Sequence, residues 1–87
     1  LYPDWVVQRE LVMLLDDMGD TAEARLVLEN WSAMALRTRE DGRARVDLWR
    51  TRDLARALEE LEEFAGQYAL TEVERAWAKE WHRSVRE

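Results

Sequence analysis

The spacing of apolar residues predicts two helices in the first third of the chain. The first runs from about Trp5 to Met18, with Asp4 as its N-terminal cap and Gly19 as its left-handed stop. Its predicted core-facing stripe is Val7, Leu11, Leu14, Leu15 and Met18. Further apolar residues lie outside the stripe, namely Trp5, Val6, Val12 and Met13. A helix that is apolar on several sides is either wrapped by neighbours or offers a surface to a partner.

The second predicted helix begins at Asp20 or Thr21, where Asp20 and Glu23 have the spacing of a capping box. Its apolar face consists of Ala24, Val27, Leu28, Trp31, Met34 and Ala35. Because only Gly19 and Asp20 separate the two helices, they must fold back as an antiparallel pair or bend sharply.

Between Leu36 and Leu48 the apolar period changes from helical to alternating, and Asp41-Gly42 is a turn signal. The pattern predicts a short β-hairpin with one face formed by Leu36, Thr38, Ala44, Val46 and Leu48 and the other by Arg37, Arg39, Arg45 and Asp47. The competing interpretation is a mobile charged loop, since two-stranded hairpins are marginal unless they pack on something.

Two more helices are predicted after this segment. One runs from near Thr51 to about Ala65, ends at Gly66, and directs Glu59, Glu60, Glu62 and Glu63 away from its apolar face. The other opens at a capping box formed by Thr71 and Glu74 and carries a stripe of Val73, Trp77, Trp81 and Val85. The predicted fold is mainly α: four helices, arranged as two antiparallel hairpins around a tryptophan-rich core, with a β-hairpin or charged loop at about 36–48 between them.

One segment, residues 11–28, resembles a helical hairpin of the tetratricopeptide type. Leu11, Leu15, Gly19, Ala24 and Leu28 match the places where that family has first-helix apolar residues, a turn glycine, and a second-helix alanine and leucine. Val12 departs from the pattern, because the family has a small residue there, and no third helix follows directly. The resemblance implies peptide or protein binding and no chemistry, and it assigns no family to the whole chain.

Length and composition fit one small helical domain spanning residues 1–87. The five tryptophans supply apolar volume that a chain of 87 residues otherwise lacks. The sequence has no cysteine, which excludes disulfides and thiolate metal sites. It begins with Leu1 rather than methionine, as expected of a processed protein or a piece excised from a longer chain. Without a leader or a long apolar run, we expect a cytoplasmic protein with no membrane role.

Charge is unevenly distributed along this acidic chain, whose formal net charge is −6. Residues 1–36 carry two basic and seven acidic side chains, residues 37–56 carry seven and four, and residues 57–87 carry four and eight. A basic band therefore lies between two acidic segments. The overall acidity disfavours non-specific binding to nucleic acid, which depends on neutralising phosphates.

The sequence contains no pattern of catalytic, cofactor-binding or metal-binding residues. The single histidine, His82, has no second histidine or cysteine to join it. The glutamates at 59–63 lack the Glu-x-x-His arrangement of di-iron bundles, and Asp16 to Asp20 lack the order of a calcium loop. We therefore predict a protein that is not an enzyme and uses no cofactor.

The predicted function is protein–protein interaction, as an oligomerisation, adaptor or inhibitor type of module. The partner is expected to be another protein or a second copy of this chain. The residues predicted to contact it are the additional apolar residues of the first helix, the basic band and Trp49, with Trp5 and Trp49 as aromatic anchors: Trp5, Val6, Val12, Met13, Arg37, Arg39, Arg43, Arg45 and Trp49. The same arginines could instead form salt bridges within the chain.

The alternative function is that of a winged-helix-like domain that binds nucleic acid or regulates transcription. In this interpretation the predicted hairpin is a wing, and Arg37, Arg39, Arg43 and Arg45 contact phosphates. The acidic flanks and the glutamates of the second helix weaken this interpretation.

Overall fold

Five α-helices and no β-strand are found in residues 2–86, the part of the chain that the computed structural model describes. The helices are α1 (Asp4–Asp17), α2 (Thr21–Ser32), α3 (Arg39–Arg50), α4 (Leu54–Ala65) and α5 (Glu72–Arg86). In space, α1 packs against α2 and α3, α3 packs against α4, and α4 packs against α5. The predicted mainly helical fold is confirmed, whereas the predicted number of four helices is wrong.

Two predicted helix caps, those of α2 and α5, are confirmed, whereas the predicted cap of α1 is wrong: Asp4 is the first residue of that helix, and Pro3 precedes it without a capping side chain. The Asp20 carboxylate accepts a hydrogen bond from the Glu23 backbone N–H at 3.3 Å. At α5, the Glu74 N–H donates to the Thr71 hydroxyl at 3.2 Å, and the Thr71 N–H donates to the Glu74 carboxylate at 2.9 Å. Gly19 has a φ of +80°, which lets the chain reverse between α1 and α2. These contacts fix where α2 and α5 begin.

The predicted hairpin or charged loop at 36–48 is wrong, because most of this segment forms α3. The Thr38 hydroxyl caps the helix by accepting from the Asp41 N–H at 3.1 Å. Two opposite charges follow at helical spacing, and the Arg43 guanidinium donates to the Asp47 carboxylate at 3.2 Å. The segment therefore joins the helical core instead of projecting from it.

The Asp41-Gly42 pair, predicted to be a turn, lies in the first turn of α3. Gly42 is needed there because of the close approach of α4. A Cβ atom at this position would lie 2.5 Å from Cδ2 of Phe64 and 3.3 Å from Cδ2 of Leu36. The glycine thus allows α3 to pack closely against α4, which explains a residue that is otherwise unfavourable inside a helix.

All five helices contribute to one core, which contains three buried tryptophans. Its buried apolar residues are Val12, Ala24, Leu28, Trp31, Ala44, Val46, Trp49, Ala57, Leu58, Leu61, Phe64 and Trp81. The fourth helix begins at Leu54 and not at Thr51, because the Asp53 carboxylate caps it by accepting from the Arg56 N–H at 3.1 Å. Glu60, predicted to point away from the core, is buried.

The orientation of α1 differs from the sequence prediction. Of the five residues expected to face the core, Val7, Leu11, Leu14 and Met18 are exposed, and Leu15 is half-buried. The helix instead turns Val12 and part of Trp5 toward the core. No helix in the described part of the chain is both long and apolar enough to cross a membrane.

Candidate interaction surface

The outer face of α1 is an aligned row of exposed apolar residues formed by Val7, Leu11 and Leu14 within the helix and by Met18 directly after its last residue. These side chains are 56%, 41%, 56% and 70% exposed. They are separated by four, three and four residues, the spacing of a coiled-coil seam. Single exposed apolar residues are ordinary, but an aligned row of four is typical of a contact surface.

The outer face lies away from the part of α1 that packs on the core. At about 100° per residue, its four side chains occupy an arc of about 60° and extend over roughly 16 Å of helix. Trp5 and Val12 lie about 130–150° around the helix from the centre of this arc. The fold therefore closes without using the outer face.

A cleft of mixed polarity adjoins the outer face at the N-terminal end of α1, with Asp4, Arg37, Asp41 and Arg45 among its charged lining residues. It has a volume of about 710 Å³, and Tyr2, Val7 and Met34 are among its lining residues. Tyr2 and Met34 are both exposed. Since Val7 belongs to both features, a helix lying on the outer face of α1 could place one large side chain in this cleft.

Carboxylates border the outer face on one side. Glu10 and Asp17 are exposed, are seven residues apart, and lie about 70–90° around the helix from the centre of the apolar row. The opposite border contains the half-buried Gln8 and Leu15, which are also seven residues apart. The outer face is therefore an apolar row with an acidic edge on one side. The other side has the uncharged edge of Gln8 and Leu15 and, at its N-terminal end, Asp4, whose carboxylate lies 3.2 Å from the Arg37 guanidinium.

The acidic edge is unfavourable for α1 itself. The last turn of the helix contains no basic residue, although the C-terminal end of a helix dipole favours cations. Asp16 is compensated by a hydrogen-bonded ion pair with Arg52. Asp17 is exposed and lies about 100° around the helix from Asp16. A carboxylate that opposes helix stability is the kind of local conflict that often accompanies a binding role.

Three of the residues predicted to contact a partner are buried, namely Val12, Arg45 and Trp49. The Trp49 indole N–H donates to the Ser32 hydroxyl at 2.8 Å, which joins α3 to the end of α2. Two guanidiniums, those of Arg25 and Arg56, lie 5.2 and 5.0 Å from the Trp49 ring centroid. None of the three side chains can reach a partner in this conformation.

Arg45 forms a buried hydrogen-bonding centre between α2 and α3. Its guanidinium binds both carboxylate oxygens of Asp41, at 3.2 and 3.0 Å, and Asp41 also accepts from the Trp31 indole at 2.7 Å. The guanidinium further donates to the backbone carbonyl oxygens of Ser32, Met34 and Ala35. Carbonyl groups left unpaired at the end of α2 are thereby satisfied. Arg45 is a structural residue.

Arg39 and Arg43 connect α3 to the start of α5 through the fully buried Glu74. Both guanidiniums donate to its carboxylate, with Arg43 at 2.9 Å. Burial alone raises the pKa of Glu74, but the Thr71 N–H and the two arginines together hold this pKa below its ordinary value of 4.5. These two arginines, also predicted as partner contacts, are engaged within the chain.

The remaining predicted contacts lie at or near the surface. Met13 and Arg37 are exposed, and the Arg37 guanidinium is 3.2 Å from the Asp4 carboxylate. Trp5 and Val6 are half-buried, and the Arg9 guanidinium lies 5.1 Å from the Trp5 ring centroid. Trp5 and Met13 line one cleft together with Arg39 and Arg43, so the structure brings four of the nine predicted contact residues together.

Glu60 is another buried acid, located in α4. Burial raises the pKa of Glu60 above its ordinary value of 4.5, and the Arg56 guanidinium 3.5 Å away offsets only part of this effect. The Ser32 hydroxyl and the Arg45 guanidinium also lower the pKa of Glu60, whereas the neighbouring Glu63 raises it. No group of three or more histidine, cysteine or acidic residues in the described part of the chain is arranged to hold a metal ion.

Comparisons with known proteins found no matching family model, no matching curated protein and no matching solved structure. The outer face of α1 was missed in the sequence because its residues were assigned to the core. Their spacing fits a core stripe and a partner-binding seam equally well. Sequence spacing alone carries no signal that separates the two.

Proposed function

We propose that this chain is a protein–protein interaction module that binds a helix of another protein on the outer face of α1. The observation that carries the proposal is the aligned exposure of Val7, Leu11, Leu14 and Met18 on the side of α1 away from the core. A groove or helix face with this seam spacing accepts an amphipathic helix through its apolar side chains.

The size of the surface indicates moderate affinity. Burying the exposed halves of four such side chains contributes about 3–6 kcal/mol, and the partner's own apolar residues contribute a similar amount. Association costs about 4–15 kcal/mol in lost motional freedom. Even the most favourable combination of these figures leaves only about 8 kcal/mol, so we expect a transient complex with a Kd no tighter than roughly micromolar.

The test is an NMR titration of the labelled chain with a designed helical peptide that has leucine at its seam positions and glutamine on both flanks. We expect shifts at the four outer-face residues and their loss in Leu14→Lys. The matched control is Val73→Lys, because Val73 on α5 and Leu14 are equally exposed, at 56%. Both variants should keep the unfolding midpoint of the native chain. Peptide binding that survives Leu14→Lys, or shifts spread over all five helices, would overturn the proposal.

The alternative nucleic-acid function gains no support from the positions of the arginines. It needs a two-stranded wing, and no strand occurs in residues 2–86. Of the four proposed wing residues, Arg45 is buried, and Arg39 and Arg43 bind Glu74. We therefore propose only the protein-binding function.

A further inference from the structure

We infer that the partner of the outer face is an amphipathic helix with a basic flank, and not a second copy of this chain. This inference rests on the proposed function and specifies the chemistry of its partner. Three observations carry it: the acidic edge formed by Glu10 and Asp17, the unfavourable position of Asp17 in α1, and the poor match of the outer face with itself.

The two carboxylates of the acidic edge are one heptad apart on the same side of the apolar row. In a helix pair, residues at these flanking positions face the flanking residues of the other helix and select it by charge. Glu10 and Asp17 are both exposed. The Glu10 carboxylate lies 3.0 Å from the Arg9 guanidinium, a surface ion pair that contributes little stability. A lysine or arginine on the partner can therefore reach Asp17 directly, and Glu10 in competition with Arg9, without displacing the core. The partner's basic residues should therefore recur at a spacing of about seven.

The dipole of α1 strengthens this preference. Asp17 lies in a last turn without a basic residue, where it opposes the negative end of the helix dipole. A cation supplied by a partner would interact favourably with Asp17 and with the carbonyl end of α1 at the same time. An acidic partner would worsen both interactions.

Self-association fits this surface poorly. In an antiparallel pair of two copies related by a two-fold axis, like edges meet, so Glu10 and Asp17 would face the same carboxylates of the second copy. In a parallel pair, the acidic edge would face the uncharged edge of Gln8 and Leu15, without electrostatic gain. The net charge of −6 adds a repulsion between copies.

The experiment compares three designed peptides of equal length and identical leucine seam, with lysine, glutamine or glutamate on the flanks. Affinity is measured from NMR shifts of the labelled chain at low and at moderate salt. We expect the lysine peptide to bind at least about threefold more tightly than the glutamine peptide at low salt, and the advantage to shrink as salt screens it.

Two double variants with the same change in net charge locate the effect. Glu10→Gln with Asp17→Asn should abolish the advantage of the lysine peptide. Glu59→Gln with Glu62→Gln removes two exposed carboxylates from α4 and should leave the advantage unchanged. An equal loss in both double variants would mean that only overall charge matters and would overturn the inference.

The remaining outcomes separate the inference from the proposed function. Equal affinity for all three peptides, or a preference for glutamate, overturns the basic-flank inference while the helix-binding face stands. Absence of shifts in α1 with every peptide overturns the proposed function itself. Sedimentation that shows a dimer at tens of micromolar, disrupted by Leu14→Lys, overturns the inference in favour of a second copy.

Discussion

Replacement of Arg45 by methionine should strongly destabilise the fold, because it removes one member of a buried ion pair. The Asp41 carboxylate would lose two hydrogen bonds, at 3.0 and 3.2 Å, and would keep its charge inside the protein. Carbonyl groups of Ser32, Met34 and Ala35 would lose their donor as well. Breaking a buried pair in this way costs about 3–5 kcal/mol.

That loss is large compared with the whole stability of the domain. A chain of this length is expected to be stable by about 4–13 kcal/mol. With a urea dependence near 1.5 kcal/mol per molar, the unfolding midpoint of Arg45→Met should fall by roughly 2–3 M. Circular dichroism measures the loss of helix, and tryptophan fluorescence measures the loss of packing. Trp31 and Trp49 are useful probes because they lie beside the affected contacts.

The control is Arg50→Met, the same substitution in the same helix at an exposed site. The Arg50 guanidinium lies 3.9 Å from the Asp47 carboxylate and 4.6 Å from the Trp77 ring centroid. Its loss should cost about 1 kcal/mol or less. A double variant of Arg45→Met and Asp41→Asn should cost less than the two single changes added together, since it leaves no unpaired charge. Simple additivity, or an Arg45→Met loss no larger than that of Arg50→Met, would refute the reasoning.

Three further predictions concern buried groups and are checked by urea unfolding. Glu74→Gln should lower the free energy of unfolding by about 2–3 kcal/mol at pH 7. Because the pKa of Glu74 is lowered in the folded protein, the stability that its carboxylate contributes is present above pH 4.5 and is lost as the pH falls further. Equal costs at neutral and acidic pH would contradict this. Glu60→Gln should stabilise the protein at pH 7. The pKa of Glu60 is raised in the folded protein, so ionising this buried carboxyl lowers the stability as the pH rises above 4.5. A less stable Glu60→Gln variant at pH 7 would contradict this. Gly42→Ala should cost about 1–2 kcal/mol despite the better helix propensity of alanine, and Phe64→Leu in the same chain should recover part of it, because Cδ2 of Phe64 is the nearest obstacle. A stabilising Gly42→Ala would show that α3 and α4 can separate freely.

The caps of α2 and α5 could be predicted from the sequence, because each depends on residues within one turn, whereas the caps of α1, α3 and α4 differ from the prediction. Asp20, Thr71 and Gly19 perform the roles that their spacing indicates. The side of α1 that packs against the core could not be predicted in the same way. Residues of α1 that look suited to solvent, such as Asp16, lie on its inner side, where Arg52 from a distant segment compensates the charge. Only the fold brings Asp16 and Arg52 together.

The segment at 36–48 did contain a signal for the correct structure. Asp41 and Arg45, like Arg43 and Asp47, are opposite charges four residues apart, a spacing that favours a helix. Alternating apolar residues and the Asp41-Gly42 pair suggested strands instead. As a helix the segment buries Ala44, Val46 and Trp49 together, whereas an alternating strand would place Val46 and Trp49 on opposite faces.

The distribution of ion pairs also determines the electrostatic field that a partner meets. The most buried acids are matched by arginines inside the fold, as Asp41 is by Arg45 and Glu74 is by Arg39 and Arg43. Asp41 and Glu74 together carry two negative charges and their three arginines carry three positive ones, so these buried clusters are not the source of the chain's negative net charge of −6. A basic helix approaching α1 is therefore attracted over a distance comparable to the screening length, about 8 Å at physiological salt. We expect salt to slow its association more than it speeds its dissociation, because the apolar contacts of the outer face respond little to ionic strength.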